Sequence, residues 1–267
     1  MRRLHLVELG DLPWWPRLLR DGATDYLRVA VRATNFYEPV PRRLAAALQR
    51  SGATEILDLC SGGGGPWDVL LPALRLEGID VRVRLSDFYP NQAAFEQVAV
   101  EVPGLEFIAS PIDATHVPEG TAGFRTIFAG FHHFRPREAR ALLASAVAAG
   151  EGVAVFEGTV RRPLAIGLMF VVPLVVWLLT PRIRPFRWSR LFWTYLVPVI
   201  PLAIVFDGVV SCLRTYTPEE MLAMAKDVGP GYEWEAGFDG PPRAPIPLTY
   251  LIGTPARASR LRGAPRA

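Results

Sequence analysis

The chain is short of cysteine and lysine. Only Cys60 and Cys212 occur in its 267 residues, too few for a metal centre of the usual four-ligand kind. They read instead as two buried free thiols in a reducing compartment. Of the 29 basic residues all but Lys226 are arginine. No lysine-rich stripe alternates with aromatics, and a net charge of only +3 argues further against a nucleic-acid partner. No apolar run follows Met1-Arg2-Arg3, and Glu8, Asp11 and Pro13 come early, so no secretory signal peptide is expected. No Lys-Ser/Thr pair closes the glycine run Gly62–Gly65, which removes a phosphate-cradling P-loop.

What is plentiful is apolar residues, half of the total. The excess is local, lying between Pro163 and Phe206; the first 160 residues or so have the pattern of an ordinary globular α/β protein. Short apolar runs at 55–60, 105–108, 125–130 and 152–157 read as strands, and so does 81–87, which alternates at period two and ends in an acid. Helical spacing separates them at 67–76, 90–101 and 137–149. Residues 24–50 read as helical with a break at Pro39 and Pro41. Thr217-Pro218-Glu219-Glu220 opens a further helix with a capping box. Two runs, 232–236 and 248–253, read as closing strands that pair antiparallel. Strands alternating with helices predict a parallel sheet covered on both faces. Such sheets bind ligands outside the carboxyl ends of their strands.

The glycine run ends the first strand, and Asp58 precedes it inside an otherwise apolar segment. Trp67 occupies the place of the third glycine of a dinucleotide fingerprint, which weakens a nicotinamide reading. Four motifs then follow in order: Ile56-Leu57-Asp58-Leu59-Cys60-Ser61-Gly62-Gly63-Gly64, Leu85-Ser86-Asp87, Ser110-Pro111-Ile112-Asp113-Ala114, and Ile127-Phe128-Ala129-Gly130-Phe131-His132-His133-Phe134. With these the chain resembles the class I S-adenosylmethionine (SAM)-dependent methyltransferases over roughly residues 50–160, and more loosely to about 254. The resemblance implies a Rossmann-like, seven-stranded α/β sheet, mostly parallel with the last strand antiparallel, helices on both faces, and an added apolar helical insertion.

It also implies roles. Cys60, Ser61, Gly62, Gly63 and Gly64 would pass under the methionine moiety, with Asp58 facing its ammonium directly or through water. Asp87 would accept from the ribose hydroxyls, and Phe88 would pack on the adenine. Asp113 and the Ala114 backbone would meet the adenine edge. Gly130 and Phe131 would close the cofactor site, and His132 or His133 would stand near the transferred methyl as a candidate general base. Methyl transfer from a sulfonium can also run on positioning alone. Two histidines without a clustered third ligand predict no metal site.

The insertion holds two uncharged stretches, Pro163–Leu179 and Leu191–Phe206, of 17 and 16 residues. Both are short of the ~20 apolar residues of a perpendicular span, and Pro173, Pro198 and Pro201 interrupt them. Arg161, Arg162, Arg182, Arg184, Arg187 and Arg190, with Trp177, Trp188, Trp193 and Tyr195, are what a headgroup-level anchor uses. A re-entrant or interfacial hairpin is expected; the alternative is a lid over the site or a subunit interface. The expected organisation is a helical cap (1–50), a cofactor core (51–160), the insertion (161–206), a completion of the core (207–254) and a disordered tail (255–267).

The reading is thus a cytoplasmic, membrane-associated methyltransferase for a hydrophobic small-molecule or lipid-like acceptor, with oligomerisation left open. Its competitors are a membrane-tethered SAM-binding module without methyl transfer and an NAD-dependent oxidoreductase.

Overall fold

The computed structural model describes residues 1–240 and 244–256. Seven strands form one sheet: β1 (Glu55–Leu59), β2 (Arg82–Leu85), β3 (Leu105–Phe107), β4 (Phe124–Phe128), β5 (Val153–Glu157), β6 (Tyr232–Asp239) and β7 (Leu248–Pro255), in the order β3-β2-β1-β4-β5-β7-β6. Pairing is parallel from β3 across to β5. β7 runs antiparallel to both β5 and β6. Every run expected to be a strand is one. β4 and β5 are buried along their whole length, because helices cover both faces and leave no side for polar alternation.

On one face α2 (Val40–Ser51), α3 (Trp67–Leu76) and α4 (Gln92–Glu101) pack Leu44, Leu48, Trp67, Leu71 and Phe95 against the sheet. On the other, α5 (Pro136–Ala148) and α10 (Pro218–Val228) supply Leu142, Leu143, Met221 and Met224. The capping box read at Thr217 and Glu220 is formed.

α1 (Arg17–Thr34) begins seven residues before the expected helical stretch. Its buried face is Leu19, Asp21, Gly22, Asp25, Tyr26 and Arg28. Three of those six are charged, so hydrophobic spacing alone does not reveal that face.

The two uncharged stretches become two bent helix pairs. α6 (Pro163–Met169) and α7 (Val172–Leu179) meet at about 40°, and α8 (Trp188–Leu191) with its π-helical continuation to Leu196 meets α9 (Val199–Arg214) at 75°. The second bend falls at Pro198, whose ring cannot continue a helix. Among the described residues no single helix is long and apolar enough to cross a membrane. α9 continues past 207, the expected edge of the insertion, to Arg214. The insertion docks on α1 around its own core of Leu19, Tyr26, Val176, Ile183, Ile200 and Ile204. β7 ends at Pro255; the tail expected from 255 lies, from 257 on, outside the described residues.

Candidate active site

Strand order reverses between β1 and β4, and there the carboxyl ends of β1, β2 and β4 open into a cleft of about 600 Å³. α1 forms one wall through Arg20, Asp21, Thr24 and Arg28; Cys60–Gly63, Asp87 and Phe88, and Ala129 and Gly130 form the rest of the cofactor side.

The glycine loop is tied down locally. The amides of Gly64 and Gly65 donate to the Ser61 carbonyl at 2.9 and 2.8 Å. α1 lies directly on the loop: a Cβ on Gly63 would stand 2.7 Å from the Thr24 carbonyl oxygen, so only glycine fits. Cys60 and Ala129, the residues just past β1 and β4, both take positive φ (58° and 47°). A Cβ on Gly130 would come within 2.9 Å of Cys60 Cβ, so that glycine lets the two kinked strand ends converge. Such strain in non-glycine residues is typical of ligand sites.

Asp87 sits half-buried on the cleft wall. Its Oδ2 accepts from the Gly62 amide and its Oδ1 from the Tyr89 amide, each at 2.8 Å. One donor per oxygen fixes the carboxylate and leaves lone pairs for two further donors. Phe88 is 52% exposed beside it, edge-on to Tyr89. Asp113 also lines the cleft, held by the Thr115 amide (2.8 Å) and hydroxyl (2.7 Å). Burial works against ionisation here, but those bonds from Thr115 hold the carboxyl below its ordinary value.

Of the other expected residues, Asp58, Ala114 and Phe131 do not turn their side chains onto the cleft wall. Asp58 is fully buried beneath the loop, accepting from Thr126 Oγ1 at 2.6 Å and Ser61 Oγ at 2.7 Å, and it is not on the cleft wall. Ala114 and Phe131 are core residues, the latter packed on Tyr216, because the turn after β4 is a 3₁₀ helix that swings Phe131 inward. Burial pushes the Cys60 thiol well above its ordinary value, which makes it an inert wall residue.

Burial likewise raises Asp58 to about 6, against the hydroxyl bonds that lower it. An acid whose folded pKa is raised binds more protons folded than unfolded, so stability falls as pH rises from about 4 to about 6. Urea unfolding across that window should show this slope, and Asp58→Asn should flatten it. An unchanged slope would assign it to other groups.

The two histidines part company. His132 is buried, its Nδ1 donating to Glu157 Oε2 at 2.7 Å while the Glu157 Oε1 accepts from its amide. His133 is half-buried on the cleft wall, its Nδ1 2.7 Å from Asp11 Oδ1. Burial lowers its pKa, yet the Glu8 charge and the Asp11 bond outweigh that and lift it to about 9. The expectation of no third ligand near the pair is corrected here. Glu8, on the N-terminal segment, brings a carboxylate to both rings, 3.6 Å from His132 Nε2 and 3.8 Å from His133 Nδ1. That segment is held across α9: the Leu9 and Gly10 amides donate to Asp207, and Arg214 pairs with Glu8 and Asp11.

The sequence reading also missed Arg28 and Tyr37. Arg28 lines the cleft with its side chain 7% exposed, one amino group on the Arg184 carbonyl (3.2 Å) and its Nε without a partner. Tyr37 lines it too, edge-on to Phe128 at 5.2 Å.

Strand order, reversed last strand and cleft together define the Rossmann-like fold of the class I SAM-dependent methyltransferases. Solved structures agree. An O-methyltransferase family protein from Burkholderia thailandensis superposes with a TM-score of 0.50 at 17% identity, over 88% of this chain and 60% of its own. A putative O-methyltransferase from Nostoc punctiforme gives 0.51 at 15%, over 94% and 64%. Human N-acetylserotonin methyltransferase, solved in complex with SAM, gives 0.53 at 13%, over 96% and 63%. The chain therefore spans about three-fifths of the length of these neighbours. No protein-family model and no curated protein matches the sequence.

Proposed function

We propose that this protein is a SAM-dependent methyltransferase acting on a hydrophobic small-molecule or lipid-like acceptor, met at a membrane surface. The observation that carries the reading is Asp87: a carboxylate aligned by two backbone amides, on the wall of a cleft at the sheet's switch point, one hydrogen bond from the glycine loop. SAM would supply an electrophilic methyl on a sulfonium. Asp87 would hold the ribose hydroxyls, Asp113 the adenine amino group and Phe88 the adenine face. Cys60–Gly64 would run under the methionine chain, where α1 lies close over Gly63. Asp58 would act beneath the loop, holding it through Ser61. Positioning the acceptor in line with the methyl is then the main task of the protein, and no resident base is required.

Arg28 fits the methionine carboxylate, being a buried cation with an unpaired donor in that wall. Arg28→Met should weaken SAM about 10- to 100-fold, as lost charged hydrogen bonds do, and leave methylthioadenosine, which lacks the carboxylate, unchanged. Equal losses for both ligands would place Arg28 in a purely structural role.

Support for an apolar acceptor and a membrane surface comes from the insertion. Phe170, Leu178, Trp188 and Leu196 are each more than 65% exposed, and Arg182 and Arg184 are exposed in the same insertion. Large apolar side chains left exposed together on one insertion are the kind of surface an interaction site presents. Titration calorimetry with SAM and with NAD tests the cofactor. Transfer of a labelled methyl from SAM into lipid extract, with flotation on vesicles, tests the rest. Binding without transfer would favour a SAM-binding module; binding of NAD alone would end the proposal.

A further inference from the structure

We propose that Glu8, His132 and His133 bind one divalent transition-metal ion at the wall of the cleft. This inference goes beyond methyl transfer and does not depend on it. The ligand atoms of the three residues all lie within 4.8 Å of one another, with Glu8 3.6 and 3.8 Å from the two ring nitrogens. Donors around a zinc ion with bonds of ~2.0–2.2 Å stand roughly 3.3–3.6 Å apart, so a small closure completes the site.

Proton bookkeeping points to a cation. With Nδ1–H of His132 donating to Glu157, Nε2 presents a lone pair. Opposite it is Glu8 Oε1, on a carboxylate 5% exposed, an oxygen that accepts no hydrogen bond. His132 Nε2 and Glu8 Oε1 thus face each other across a buried gap, with the Arg214 guanidinium 3.2 Å from Oε1 on its other side. Glu157 behind His132 is also the arrangement that orients a metal-binding imidazole.

Charge agrees. Glu8, Asp11 and Glu157 bring three carboxylates to the histidine pair, and Arg214 answers one of them, 3.2 Å from Glu8 Oε1 and 2.6 Å from Asp11 Oδ2. A bound dication would take the place of the proton between His133 Nδ1 and Asp11 and balance the carboxylates that Arg214 does not. Two imidazole nitrogens and one carboxylate suit Zn²⁺, Co²⁺, Fe²⁺ or Mn²⁺ rather than Mg²⁺ or Ca²⁺. His133 and Asp11 both line the cleft, so an open coordination position would be accessible to a ligand bound there.

The test is titration of the full, chelator-stripped chain with Zn²⁺ and, for its visible spectrum, with Co²⁺. The expected result is one ion per chain, a nitrogen/oxygen Co²⁺ spectrum without the thiolate band that Cys60 or Cys212 would add, and a rise in Tm with Zn²⁺. Glu8→Gln and His132→Gln should each weaken binding 100-fold or more. Glu157→Gln, one bond further out, should weaken it 10- to 100-fold. If His132→Gln fails to fold, the shape-preserving Glu8→Gln carries the comparison. No stoichiometric binding, no Zn²⁺-dependent shift in Tm, or binding undiminished in Glu8→Gln would overturn the site. SAM affinity of the metal-free chain, measured in parallel, reports on the cofactor cleft separately.

Discussion

Alanine at Asp25 is expected to destabilise the protein by about 3–5 kcal/mol, the usual cost of removing one partner of a buried ion pair. Asp25 is wholly buried in α1 and accepts from Arg190 of α8 and, at 3.1 Å, from Asn91, which caps α4. Its loss leaves Arg190 as a buried, uncompensated cation whose remaining partners are the Ile183 and Pro185 carbonyls. Chemical denaturation measures the loss. Hydrogen exchange should locate it in 183–196 and at the start of α4. The double variant Asp25→Ala/Arg190→Met should recover much of the stability, since two neutral groups leave no buried charge. A loss below about 1 kcal/mol would put the pair on a par with a surface salt bridge.

The second large effect is on binding. Asp87→Ala should weaken SAM by about 1–3 kcal/mol, roughly 5- to 150-fold, as the ribose hydroxyls lose a charged acceptor. The Gly62 and Tyr89 amides lose theirs too, so the glycine loop should loosen with it. Asp87→Asn, which keeps one acceptor oxygen, should fall between. Calorimetry reads both, and unchanged affinity would mean that the ribose lies elsewhere.

Much of this was legible in the residues. The inner strands announced themselves as short, mostly apolar runs and β2 by its alternation, and Gly62–Gly65 with Asp87 marked the cleft. Arg28 and Asp25 were hidden because buried charges on α1 look like a solvated helix face until the partner surface is known. Glu8 was hidden because its tie to His132 and His133 is made by the tertiary path of the N-terminal segment, which no local spacing encodes. Phe131 and Ala114 belong to motifs that do border the cleft, but their side chains turn into the core. That direction is set by turn geometry rather than residue type. In the insertion, prolines and length pointed to broken helices, while the packing of Ile200 and Val176 on Leu19 and Tyr26 needed the fold to be seen.

The seating of α1 bears on how such a protein is taken apart or recombined. One side of that helix covers the glycine loop at Gly63, and the other receives the insertion through Leu19, Tyr26 and Asp25. Residues 163–214 are therefore not a cassette. Moved alone onto another Rossmann-like core they would arrive without their matching surface, and excised here they would leave α1, which walls the cleft, without the packing on its far side. The transferable unit is the insertion together with residues 17–34, two segments far apart in the chain that have to travel as one.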